Sequence, residues 1–72
     1  MIKELIFTTK SGTKLFMHHT DGVIQQFTSD SPDAVFAALK QDLNSSNYND
    51  RNMAQILLTN LYAYGVIRKK EN

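Results

Sequence analysis

An α+β fold, a three-stranded antiparallel meander followed by two helices packed on one sheet face (βββαα), is what this sequence predicts. Three observations lead there. Residues 1–28 alternate apolar and polar side chains around two glycine-containing turn signals. Residues 31–44 and 49–65 then carry apolar residues at helical spacing, each stretch behind a capping signal. Strands come first and helices after, without interleaving, as in domains whose helices sit on one side of an antiparallel sheet. At 72 residues the chain is expected to form one domain (1–72), with residues 66–72 as a basic tail.

The turn signals are Lys10-Ser11-Gly12-Thr13 and Thr20-Asp21-Gly22-Val23. Ser-Gly and Asp-Gly between alternating segments suit two-residue hairpin loops, because type I′ turns need positive φ and glycine takes it without steric cost. With those loops Phe7 faces Phe16, Phe16 faces Phe27, Leu5 faces His18 and Glu4 faces His19. Opposed residues share a sheet face and successive residues switch faces. One face then carries Leu5, Phe7, Phe16, Val23 and Phe27, the other Ile2, Ile6, Leu15, Met17 and Ile24. The row of three phenylalanines makes the first of these the expected core side, and a one-residue slip of either hairpin breaks the row.

Helix 1 is expected to start at Ser31-Pro32-Asp33: a capping hydroxyl, proline at the first helical position and a carboxylate at the positive end of the dipole. Val35, Phe36, Leu39 and Leu43 form its apolar stripe, and Asn44-Ser45-Ser46-Asn47 ends it. Helix 2 takes Asn47 or Asn49 as its cap, with Met53, Ile56, Leu57, Leu61 and Tyr64 facing inward and Leu58 and Tyr62 on the outer flank. Gly65 is a candidate left-handed terminator, and Arg68, Lys69 and Lys70 suit a helix's negative end.

Composition narrows the function classes. A formal net charge of +1, from 8 basic and 7 acidic side chains, argues against a partner held mainly by charge. No apolar run approaches the roughly 18 residues of a membrane span. The start, Met1-Ile2-Lys3-Glu4, lacks the apolar region and cleavage site of a secretory signal. Without cysteine there is neither a disulfide nor thiolate chemistry, and the cytoplasm is the expected compartment. The asparagine-rich, compact composition is of the kind found in small bacterial or phage accessory proteins.

No motif specifies catalysis, a metal or a cofactor. His18 and His19, as adjacent strand residues, point to opposite faces and cannot chelate one ion together. His19 with Glu4 is expected to be a cross-strand ion pair or hydrogen bond. Asp21 and Ser11 are explained as turn residues, and Gly12 and Gly22 are isolated glycines without a phosphate-cradling pattern around them. A nucleophile, base and orienter in one constellation, which an active site requires, is not found, so no enzyme is expected.

The expected function is therefore a non-catalytic protein-interaction module, a regulator or accessory factor forming a homodimer. A domain this small buries only about 60% of its unfolded surface, and two helices cover only one sheet face. The expected contact is the exposed sheet face (Ile2, Ile6, Leu15, Met17, Ile24) or the outer flank of helix 2 (Leu58, Tyr62). The alternative is a nucleic-acid-binding protein using Lys10, Lys14, Arg68, Lys69 and Lys70 on phosphates.

Overall fold

The computed structural model describes residues 1–64 and the pair Arg68–Lys69. Three antiparallel strands, β1 (Ile2–Thr8), β2 (Lys14–Thr20) and β3 (Val23–Ser29), precede two helices, α1 (Pro32–Asp42) and α2 (Tyr48–Ala63). The expected α+β arrangement is present. A two-residue strand, β4 (Arg68–Lys69), adds to it by running parallel to β3, with Thr28 opposite Arg68 and Ser29 opposite Lys69. The sheet order is β1-β2-β3-β4. Arg68 and Lys69 thus belong to the sheet rather than to the end of α2; Gly65, Val66, Ile67 and Lys70 lie outside the described residues.

The second hairpin is the expected one. Asp21 at φ 51° and Gly22 at φ 80° both occupy the positive-φ region that a type I′ loop demands, and Thr20 faces Val23. The first hairpin corrects the two-residue reading of Ser11-Gly12. Its loop has three residues, Lys10 to Gly12, with Gly12 at φ 94°. The Thr9 amide donates to the Thr13 carbonyl (2.8 Å) and the Gly12 amide to the Thr9 carbonyl (3.0 Å). Thr9 Oγ1 also accepts from the Thr13 amide at 3.0 Å and lies 2.9 Å from Ser11 Oγ. A tight turn closed by a left-handed glycine is the next commonest hairpin after the two-residue types, and here the Thr9 hydroxyl holds it.

Two bulges then change the register. In β1 the pairing shifts between Leu5 (opposite Phe16) and Phe7 (opposite Leu15); in β2–β3 it shifts between His19 (opposite Ile24) and His18 (opposite Gln26). Each bulge sets an extra residue into one strand, and each resolves a conflict in the sequence. Strict alternation would turn either Ile6 or Phe7 to solvent; with the bulge both pack against the core. Strict alternation would turn either Gln25 or Gln26 inward; with the bulge neither is buried and Phe27 is.

The consequence is a correction of the core side. Phe7 now shares a face with Leu15, and Phe27 with Met17, while Phe16 is left opposite Leu5 and Thr28 on the other face. The row of three phenylalanines does not exist. The helices cover the face of Leu15, Met17 and Phe27, and the core is Leu15, Phe27, Val35, Leu39, Ala54, Leu57, Leu58 and Leu61, with Ile6, Phe7, Met17, Ile24 and Phe36 packed against it.

The caps form as the sequence predicts. Ser31 Oγ accepts from the Ala34 amide at 3.4 Å, with Pro32 and Asp33 in the first turn, and Asn47 Oδ1 accepts from the Asp50 amide at 3.1 Å. Replacing either Ser31 or Asn47 by alanine is expected to cost about 1 kcal/mol. Urea titration reads this as a lower midpoint with unchanged slope; an unmoved midpoint would show that the cap bond contributes nothing.

In α1, Val35 and Leu39 are buried as expected and Phe36 partly so, but Leu43 lies at the C-cap and is exposed. In α2 the inward stripe is rotated from the expected one. Ala54, Leu57, Leu58 and Leu61 face the core, whereas Met53, Ile56 and Tyr64 are exposed. Ala54 is 1% exposed and belongs to the core cluster, whereas its neighbour Met53 is 48% exposed.

Candidate interaction surfaces

The rotated stripe decides which residues α2 offers to solvent. Met53, Ile56, Asn60 and Tyr64 follow one another at helical spacing along one flank. Met53 is 48% and Ile56 49% exposed. Tyr62, 67% exposed, lies on the opposite flank next to α1, its ring 6.1 Å from that of Phe36. Tyr64 meets Phe27 edge-on at 6.3 Å while keeping half its surface in solvent. From Asn52 to Tyr64 the chain contains no Asp, Glu, Lys or Arg. The charges of α2 are confined to Asp50 and Arg51 in its first turn.

The second surface is the sheet face that the helices leave uncovered. Lys3 and Leu5 from β1, Lys14, Phe16 and His18 from β2, and Val23, Gln26 and Thr28 from β3 share it by register. Lys3 Nζ lies 4.4 Å from the centroid of the Phe16 ring, within the range of a cation–π contact. His18 Nε2 is 2.8 Å from Thr28 Oγ1. On the covered side His19 Nε2 is 3.0 Å from Glu4 Oε1, so the expected pair forms, although Glu4 stands opposite Met17 and reaches His19 diagonally. The two histidines do point to opposite sides of the sheet.

The residues expected to form an interface are placed as follows. Leu15 is fully buried and Leu58 is 6% exposed; Ile6, Met17 and Ile24 are packed against the same core. These five hold the fold together and do not form an outer surface: the sheet face of Ile6, Leu15, Met17 and Ile24 lies under the helices, and Leu58 is on the inward stripe of α2. Ile2 and Tyr62 are exposed. Sequence reasoning missed Met53 and Ile56 as outward residues, and Leu5 and Phe16 as members of the open face; the consecutive pairs Ile6-Phe7 and Gln25-Gln26, which strict alternation cannot satisfy, were the signal. Of the basic residues, Lys10 is exposed in the first loop and Lys14 on the open face. Arg68 and Lys69 form β4, and Lys70 lies outside the described residues.

A groove of about 910 Å³ runs between the first hairpin and the helices, lined by Phe7, Thr9, Ser11, Gln41, Asp42 and Asp50 among others. No histidine borders it. Among the described residues no three His, Asp or Glu side chains are placed to hold a metal ion. No described helix is long and apolar enough to cross a membrane. Comparisons with protein-family models, with curated proteins and with solved structures find no match to this chain.

Proposed function

We propose that the chain is a small non-catalytic interaction module, a regulator or accessory factor, whose partner is a second copy seated on the outer side of α2. The observation that carries this reading is the absence of charge on a solvent-facing helix. A helix covered on one side ordinarily turns charged and polar residues outward. From Asn52 onward α2 instead turns out Met53, Ile56, Tyr62 and Tyr64 among Asn, Gln and Thr. Depletion of charge with enrichment of Met and Tyr is the composition of an interface centre.

The same neutrality favours self-association over a foreign partner. A two-fold interface sets a patch against its own copy, so any charge near the axis meets its like. The uncharged flank of α2 avoids that repulsion. Association would bury Met53 and Ile56 at about 25 cal/mol per Å², less the translational and side-chain entropy lost. A domain of this size without disulfides gains from such burial more than a large one does. The cysteine-free composition is compatible with action in the cytoplasm.

Sedimentation equilibrium tests the reading. The parent is expected to sediment as a dimer, and Ile56→Asp as a monomer with unchanged far-ultraviolet circular dichroism. A parent that stays monomeric up to its solubility limit, or an Ile56→Asp dimer as tight as the parent's, rejects it.

A further inference from the structure

We infer that the open side of the sheet is a platform for single-stranded nucleic acid, on which Phe16 stacks a base and Lys3 and Lys14 hold phosphates. The inference does not depend on the state of association, since α2 lies on the other side of the sheet.

Charge is distributed unevenly although the chain as a whole is nearly neutral. The described strand residues of the open face include Lys3 and Lys14 and no carboxylate, while Lys10, in the first loop, borders the groove on the helix side with Asp42 and Asp50. Glu4 is turned to the covered side and paired with His19, and Asp33, Asp42 and Asp50 belong to the helical layer. Asp21 sits in the turn at the far end of β2, and Asp30 follows β3. Among the described residues a polyanion would therefore meet the two lysines of β1 and β2 on a face whose strand residues carry no carboxylate, with Asp30 following Ser29 at the Leu15 end of β3.

The spacing on that face suits a chain of nucleotides. Lys14, Phe16 and His18 lie on one face of β2, about 7 Å between neighbours. Phe16 thus stands between a lysine on its own strand and Lys3 on the next. The Lys3 ammonium lies 4.4 Å from the ring centroid, so the outer ring face is within reach of a mobile side chain. A base can take that place by stacking, and the displaced ammonium remains close to the phosphate that follows. The Gln26 amide and the His18–Thr28 pair supply neutral donors and acceptors beside the stacked base. A sheet face with one accessible ring receives a splayed strand; duplex grooves take helices or two-stranded ribbons instead.

Fluorescence anisotropy of a short labelled oligothymidylate tests this. Binding is expected at about 50 mM salt, with log K falling against log salt at a slope of about −1.4, two lysines at about 0.7 each. Phe16→Leu, which keeps an apolar side chain but removes the π face, is expected to weaken binding about tenfold. Lys14→Gln, at an exposed position, is expected to flatten the slope by about 0.7. No binding at low salt overturns the inference. So does displacement by polyglutamate as effective as by unlabelled oligothymidylate, which would point to an acidic protein. Tighter binding of a matched duplex, or a Phe16→Leu affinity equal to the parent's, overturns it as well.

Discussion

Leu15→Ala is expected to bring the domain to the edge of unfolding at room temperature, while Phe16→Ala, one residue along the same strand, leaves it folded. Leu15 is fully buried among Leu39, Leu61 and Val35, so its truncation removes transfer energy and leaves a cavity. Such changes cost about 2–5 kcal/mol. Domains are stable by about 5–15 kcal/mol, and one this small belongs near the lower figure, so a single truncation takes most of the margin. Phe16 is half-buried on the uncovered face, where its neighbours are Lys3 and Leu5 rather than the helices. Its truncation should cost about 1 kcal/mol or less. Urea denaturation of the two variants measures the difference directly. A larger loss for Phe16→Ala would place the core on the aromatic side after all.

Leu58→Asp and Tyr62→Asp make the second large contrast. The two residues are one helical turn apart in α2, yet Leu58 is 6% exposed and Tyr62 67%. A carboxylate at position 58 would enter a core that holds no cationic partner among the described residues. Burying an unpaired charge costs several kcal/mol even after relaxation or protonation, so Leu58→Asp is expected to lose its helical circular dichroism. At position 62 the carboxylate stays in water, and only the contact with the Phe36 ring is lost. That variant is expected to keep the parent spectrum. Two variants that unfold alike would mean that Tyr62 is buried in solution.

Features with a purely local cause were legible in the sequence. Asp21-Gly22 demands positive φ at two successive positions, and only one tight loop does so. Ser31-Pro32-Asp33 and Asn47 place a side-chain acceptor in front of amides that have no partner of their own, so both helix starts could be read within a residue. The first hairpin was less determinate. Gly12 needs positive φ in a two-residue loop and in the three-residue loop alike. What separates them is the Thr9 hydroxyl, which accepts from Thr13 and contacts Ser11 only in the longer form.

The candidate surfaces were legible only as a surplus of apolar residues, and their identities came out partly reversed. Ile6, Leu15, Met17, Ile24 and Leu58 went inward, and Leu5, Phe16, Met53 and Ile56 came outward. Hydrophobicity could not have chosen between Met53 and Ala54, since methionine is the more apolar. The choice was made by the packing of the folded chain, which buries Ala54 and leaves Met53 exposed. The Glu4–His19 pair was anticipated, although from a register that does not occur, because Glu4 reaches His19 from the neighbouring position.

Order and type of the elements, their caps and the Asp21-Gly22 turn were set by the sequence, since each depends on residues within a few positions of one another. The sheet's buried side and the helix's buried stripe were decided only in the folded chain. A sheet face is a property of parity: one bulge exchanges inside for outside along the rest of a strand. Both bulges form where adjacent side chains must both be hidden or both stay out, a demand that exists only once the helices have chosen a side.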